Sequence, residues 1–256
     1  MVEIKKTAAE PVKTSHEAPA VTLELPSPHP QNATAELAVL QRSGQIFDAQ
    51  MRNLNRVLPD IHPCHARLES VLKEAAAILG LNPSQVSLTI FERCPFYQLK
   101  DITGIASHLS YQPYLPEALV NIVTGHVYVN SPMVRLFANE PAQLHAIIYH
   151  ELAHLVYARN ELAHNPTSLD QIMYSRWQTY EIEYHCDRVA SLVSSLRGED
   201  PRSIGQALLK MEQNERTLMH SSGSSYPGLS ESELLAFTNT HPNTPRRIKA
   251  NETLSR

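Results

Sequence analysis

The chain has 256 residues, 42% of them hydrophobic and 19% charged, with a formal net charge of -4. This length leaves one large domain or two small ones open, and the acidic balance argues against a nucleic-acid partner, whose electrostatic footprint is basic. No apolar run approaches the roughly 20 residues that span a bilayer, and Cys64, Cys94 and Cys186 cannot all pair and form no CxxC, which argues for a reducing compartment rather than a disulfide framework.

Residues 1–34 carry Pro11, Pro19, Pro26, Pro28 and Pro30 among small and polar side chains. Such a segment cannot bury enough apolar surface to offset its ordering entropy, so a disordered tail is expected. Its opening, MVEIKKTAAEPVKTSHEAPA, lacks the apolar stretch of a secretory signal. The expected location is the cytoplasm, or outside the cell by a signal-independent route.

Two helices are predicted next. Glu36 to Leu58 repeats apolar residues at helical spacing and ends before Pro59; His65 to Leu79 does the same and is followed by Gly80 as its C-terminal cap. Val86 to Leu99 is β-like, with Pro95 confining it to an edge or splitting it. LVNIV, a Thr124-Gly125 turn and HVYVN predict a hairpin over 119–130. Ser131 as N-cap and Pro132 at the first helical position open a short helix to Asn139. Pro141 opens the strongest helix, which is expected to end near Arg159 and leave NELAHNPTS as a loop. Further helices are predicted over 169–196, 201–216, 230–237 and from Pro245 onward.

The chain is rich in histidine, with 13, and two of these are organised. His150-Glu151-Leu152-Ala153-His154 is HExxH, on the strongest helix. Residues four apart on an α-helix are offset by only about 40°, so both imidazoles point into one volume. Two such nitrogens form half of a tetrahedral zinc site, and Glu151 beside them can take a proton from a zinc-bound water. The HExxHxxGxxH pattern needs Gly and His where Tyr157 and Asn160 stand, so the third ligand lies elsewhere. His164 is one alternative, in the expected loop. The stronger one is in Tyr180-Glu181-Ile182-Glu183-Tyr184-His185-Cys186-Asp187. Glu183 and Asp187 share a helix face, while Glu181 points roughly 200° away from Glu183. A carboxylate from a second helix completes a His2Glu set with an open fourth position. Asp187, one turn on, suits the partner that accepts a ligand histidine's other N–H.

HELAH, then Glu183 and Asp187 in EYHCD, then Thr240-His241-Pro242-Asn243-Thr244-Pro245-Arg246-Arg247-Ile248 resembles the HtpX-like zinc metallopeptidases, the gluzincin family that includes the CAAX prenyl endopeptidases. The similarity covers residues 118–252. It implies His150, His154 and Glu183 as zinc ligands, Glu151 as general base, Asp187 as the supporting carboxylate and His241 as the late histidine that approaches the metal. Cys186 departs from the family, which has another small residue before the Asp. The transmembrane helices of the membrane-embedded members are absent, so a prenylated membrane substrate is not carried over.

The expected fold is α+β: a mostly helical, zincin-type metallopeptidase domain with a small antiparallel sheet packed on the HExxH helix. Residues 35–256 form that single domain, with N-terminal helices and a strand over 35–117 and the catalytic core over 118–256. The expected function is zinc-dependent hydrolysis of a protein or peptide substrate, with one Zn2+ per chain, no nucleic acid and no membrane span. His241 would donate to the oxyanion or bind zinc as an inhibitory fourth ligand. Substrate would lie extended along Val127 to Asn130 if that strand is an edge. The alternative is a catalytically silent, zinc-binding scaffold that acts as a protein-binding module.

Overall fold

The computed structural model describes residues 30–54, 63–92, 117–164, 176–221 and 244–252. Helix α1 spans Pro30–Leu54, so the expected tail gives way to helix earlier than residue 34. Pro30 suits that position, because a helix start leaves its missing N–H without consequence and its φ is preset. Gly44, Phe47, Asp48 and Met51 form the buried stripe of α1, the i, i+3, i+4, i+7 spacing of one helix face. Helix α2, His65–Ile78, buries Leu68, Val71, Leu72, Ala75 and Ala76. Its end is a Schellman motif: Gly80 has φ +73, and Leu81 N–H donates to Ala76 O at 2.9 Å and Gly80 N–H to Ala77 O at 3.1 Å.

Three strands follow: β1 (Ser87–Phe91), β2 (Ala118–Asn121) and β3 (His126–Asn130). Their order is β1-β3-β2. The predicted hairpin is present, with β2 antiparallel to β3 and Ala118 opposite Val129. The expected antiparallel sheet is not: β1 runs parallel to β3, with Ser87 opposite His126 and Phe91 opposite Asn130. Apolar alternation reports which face of a strand is buried but not its direction, and the long segment between β1 and β3 permits a crossover. The central position of β3 also overturns the expectation that substrate lies along Val127 to Asn130. Both of its hydrogen-bonding edges are taken by β1 and β2.

A buried polar cluster ties α1 to this sheet. Asp48 Oδ1 accepts from Tyr128 Oη at 2.8 Å and from Asn121 Nδ2 at 2.8 Å. Asn121 Nδ2 also donates to Gly44 O at 2.9 Å, and the Phe47 and Tyr128 rings meet edge-on with centroids 5.5 Å apart.

Helix α3 (Ser131–Leu136) follows β3 directly, and its N-cap is Asn130 rather than the predicted Ser131. Asn130 Oδ1 accepts from Met133 N–H at 2.8 Å, which frees Ser131 Oγ to donate to Glu92 Oε1 at 2.7 Å. Helix α4 (Pro141–His164) runs past the predicted end at Arg159. NELAH has no helix breaker, so the helical pattern continues through it. Residues Leu144 to His150 are all buried, so α4 is the central helix, surrounded by neighbours rather than resting on one face. It packs chiefly against α5 (Arg176–Leu196), then α6 (Ser203–Ser221), α2 and β2. Helix α6 begins two residues after the predicted Pro201 and continues beyond Arg216. Helix α7 (Thr244–Glu252) packs on α5 and α6. The ends of the predicted helices at 55–58 and 169–175, and the whole of 230–237, lie outside the described residues, as do Cys94 and Pro95. The result is a mostly helical α+β structure with one small mixed sheet. Among the described residues no helix is long and apolar enough to cross a membrane.

Candidate metal centre

The site forms where α4 and α5 cross. His150 and His154 are four apart on α4, and their Nε2 atoms lie 3.0 Å from each other. Glu183 projects from α5 between them, with Oε2 3.2 Å from His150 Nε2 and Oε1 3.3 Å from His154 Nε2. His150 and Glu183 are buried, and His154 is half-buried. The ligand atoms of all three residues lie within 4.8 Å of one another.

These distances fit a cation. Two ligands about 2.0–2.1 Å from a tetrahedral metal stand about 3.3 Å apart, which matches the edges of the observed triangle. The donor set also fits, since two imidazoles and one carboxylate suit a borderline-soft divalent ion. This buried His150–His154–Glu183 group can hold a metal ion.

Behind the triangle is a supporting layer. Asp187, fully buried one turn after Glu183, places Oδ1 2.9 Å from His150 Nδ1. With that nitrogen facing a carboxylate, the lone pair of Nε2 is left for the centre. Arg247, from α7, donates from Nε to Asp187 Oδ2 at 2.7 Å and from Nη2 to Asp187 Oδ1 at 2.6 Å. Its Nη2 also lies 3.3 Å from Glu183 Oε2.

The electrostatics favour positive charge. Burial lowers the His150 imidazole, but hydrogen bonding to Asp187 and Glu183 and the Glu183 charge outweigh it, so its pKa is pushed up to about 9. Burial lowers His154 too, and Cys186 and Glu183 more than compensate, holding it well above the ordinary histidine value. Burial raises Asp187, yet the bonds from Arg247 and His150 bring it below the usual carboxylate range. Without metal, the pocket attracts protons; a dication satisfies the same field. Glu151 is half-buried beside the histidines. Burial raises its pKa against the pull of His154 and His150.

The structure therefore brings together His150, Glu151, His154, Glu183 and Asp187 as the sequence spacing predicts. Glu181, the rival on α5, is exposed. His164, the other rival, is the last residue of α4, not part of a loop. His241 lies outside the described residues. Cys186 is a free, buried thiol and contributes to the field at His154. Sequence reasoning assigned no role to Arg247. The local pattern offers no means of telling it from the adjacent Arg246, which is exposed while Arg247 is buried. Compared with known proteins, the chain matches no family model and no curated sequence.

Proposed function

We propose that the chain is a zinc-dependent metalloendopeptidase acting on a protein or peptide substrate. The observation that carries this reading is the triangle of His150 Nε2, His154 Nε2 and the Glu183 carboxylate, with edges of 3.0 to 3.3 Å, next to Glu151 on the same helix. The likeness of HELAH, Glu183 with Asp187, and His241-Pro242 to the HtpX-like zinc metallopeptidases supports it.

His150, His154 and Glu183 would hold the ion and leave a fourth position open. Zinc, when bound, supplies Lewis acidity that eases deprotonation of water and polarises the scissile carbonyl. Glu151 accepts the proton of the attacking water at its carboxylate and delivers it to the leaving amine nitrogen. Asp187, 2.9 Å from His150 Nδ1, would favour a proton on that nitrogen and so the tautomer whose Nε2 can bind the ion. His241, which the family likeness brings near the metal, is the proposed donor to the oxyanion.

Incubating the zinc-loaded chain with casein, with and without a chelator, tests the proposal. Chelator-sensitive cleavage that disappears in Glu151→Gln is the expected result. Tight zinc binding without cleavage in any form of the protein would instead make it a zinc-binding scaffold.

A further inference from the structure

The geometry points to Arg247 as a positioning residue of the metal centre: from α7 it fixes the Asp187 carboxylate in the orientation that presents His150 to a cation. This inference rests on the metal-centre reading above. A carboxylate held at one oxygen can still turn about its Cβ–Cγ bond. Asp187 is held at both, by Arg247 Nε on Oδ2 at 2.7 Å and Nη2 on Oδ1 at 2.6 Å. Such a bidentate fork defines the plane of the carboxylate. The same Oδ1 that Arg247 holds faces His150 Nδ1 at 2.9 Å, so the position of Asp187 bears directly on the imidazole.

Charge gives Arg247 a second role. A dication in the triangle is balanced by Glu183 and Glu151 when both are ionised. Asp187 alone would add a further buried negative charge. Paired with Arg247 it still faces His150 Nδ1 at 2.9 Å but adds no net charge to the centre.

Docking of α7 does not by itself explain an arginine at this position. Ile248 already packs α7 against α6 at Gly205, where an added Cβ would stand 3.4 Å from Ile248 Cγ1. Arg247 is 3% exposed, and burying a guanidinium carries a desolvation cost that an apolar side chain would avoid. What an apolar residue cannot supply is the fork on Asp187 and the contact with Glu183 at 3.3 Å. Both carboxylates that face the ligand histidines thus answer to one side chain from a distant part of the chain.

The test uses the full chain and measures Zn2+ affinity by competition with a chromophoric chelator, alongside the visible spectrum of the Co2+-loaded protein. Arg247→Met and Asp187→Asn are each expected to weaken Zn2+ binding about 10–100-fold, the range for loss of an outer partner. The double variant should bind no more weakly than Asp187→Asn alone, because both changes act through one carboxylate. Arg247→Lys keeps the charge but loses the fork; it should fold, recover little affinity and show an altered Co2+ spectrum at saturation. Thermal melts of the metal-free proteins read folding separately, and where Arg247→Met does not fold, Arg247→Lys decides. Wild-type affinity in a folded Arg247 variant, or additive losses in the double variant, would overturn the inference and leave the metal centre standing. Zn2+ binding undiminished in His154→Ala would overturn the centre and the inference with it.

Discussion

Oδ1 of Asp187 lies 2.9 Å from Nδ1 of His150, on the side of the ring away from His154 and Glu183. One turn of α5 thus provides both a candidate ligand, Glu183, and the group that orients a ligand on α4. Because the two act differently, their removal has different consequences. Losing Glu183 would remove a proposed bond to the ion, whereas losing Asp187 would loosen a ring that could still bind.

Glu183→Ala is therefore expected to lower Zn2+ affinity by more than the roughly 10–100-fold that loss of an outer partner costs. Metal content after dialysis against a weak chelator checks it. A variant that retains a full equivalent of zinc would move the third ligand to another residue.

Glu151→Gln separates chemistry from binding. Glu151 touches the reacting water in the proposed mechanism but is not one of the three grouped ligands. The amide cannot accept the proton, so peptide cleavage should fall about 10²–10⁴-fold while zinc content stays unchanged. Cleavage at the wild-type rate would remove Glu151 from the mechanism.

The histidine field makes metal binding depend on pH. His150 titrates at 6.5 in an ordinary setting and at about 9 in the metal-free fold. Its protonation therefore stabilises the metal-free chain fully below 6.5, and that contribution is lost as pH rises through about 9. The ion needs the neutral ring, so it competes with this proton. Across the same window, the gain in melting temperature on adding saturating Zn2+ should widen as pH rises. A gain that stays constant would mean that His150 is not a ligand.

The parts of this protein that were legible in its sequence are those governed by local spacing. HELAH places two imidazoles together on any α-helix, and Glu183 shares a face with Asp187 for the same reason. Gly80 ends α2 because a left-handed residue is needed there. Arg247 was not legible, because its value lies in a partner from another helix, Asp187. The direction of β1 was not legible either, since parallel and antiparallel pairing bury Leu88 and Ile90 alike. The N-cap of α3 shifted from Ser131 to Asn130, as either side chain can cap and the end of β3 decides between them.

Two glycines with the same backbone sign should respond differently to alanine. Gly80 has φ +73 and nothing within 4 Å of an added Cβ, so Gly80→Ala meets only the left-handed penalty of about 1–2 kcal/mol. Gly125 has φ +77, and its added Cβ would stand 2.4 Å from the Gln85 carbonyl oxygen. That oxygen belongs to the backbone leading into β1, which cannot swing aside as a side chain would. Chemical denaturation should show Gly125→Ala as the more destabilising change. Equal losses would mean that the β2–β3 turn and the start of β1 are not in contact in solution.

His241→Ala tests the remaining catalytic assignment, and its outcomes separate the two roles open to a histidine near the metal. A donor to the oxyanion acts only on the transition state, so its loss lowers kcat about 10²–10³-fold and leaves Zn2+ affinity intact. An inhibitory fourth ligand occupies the position that water needs, so its loss raises turnover and weakens Zn2+ binding together. The first result is expected, because His150, His154 and Glu183 already form a three-ligand set within 4.8 Å, and catalytic zinc sites keep the fourth position for water. Measuring kcat and Zn2+ affinity on the same preparation distinguishes the roles, and a variant unchanged in both would exclude His241 from the centre.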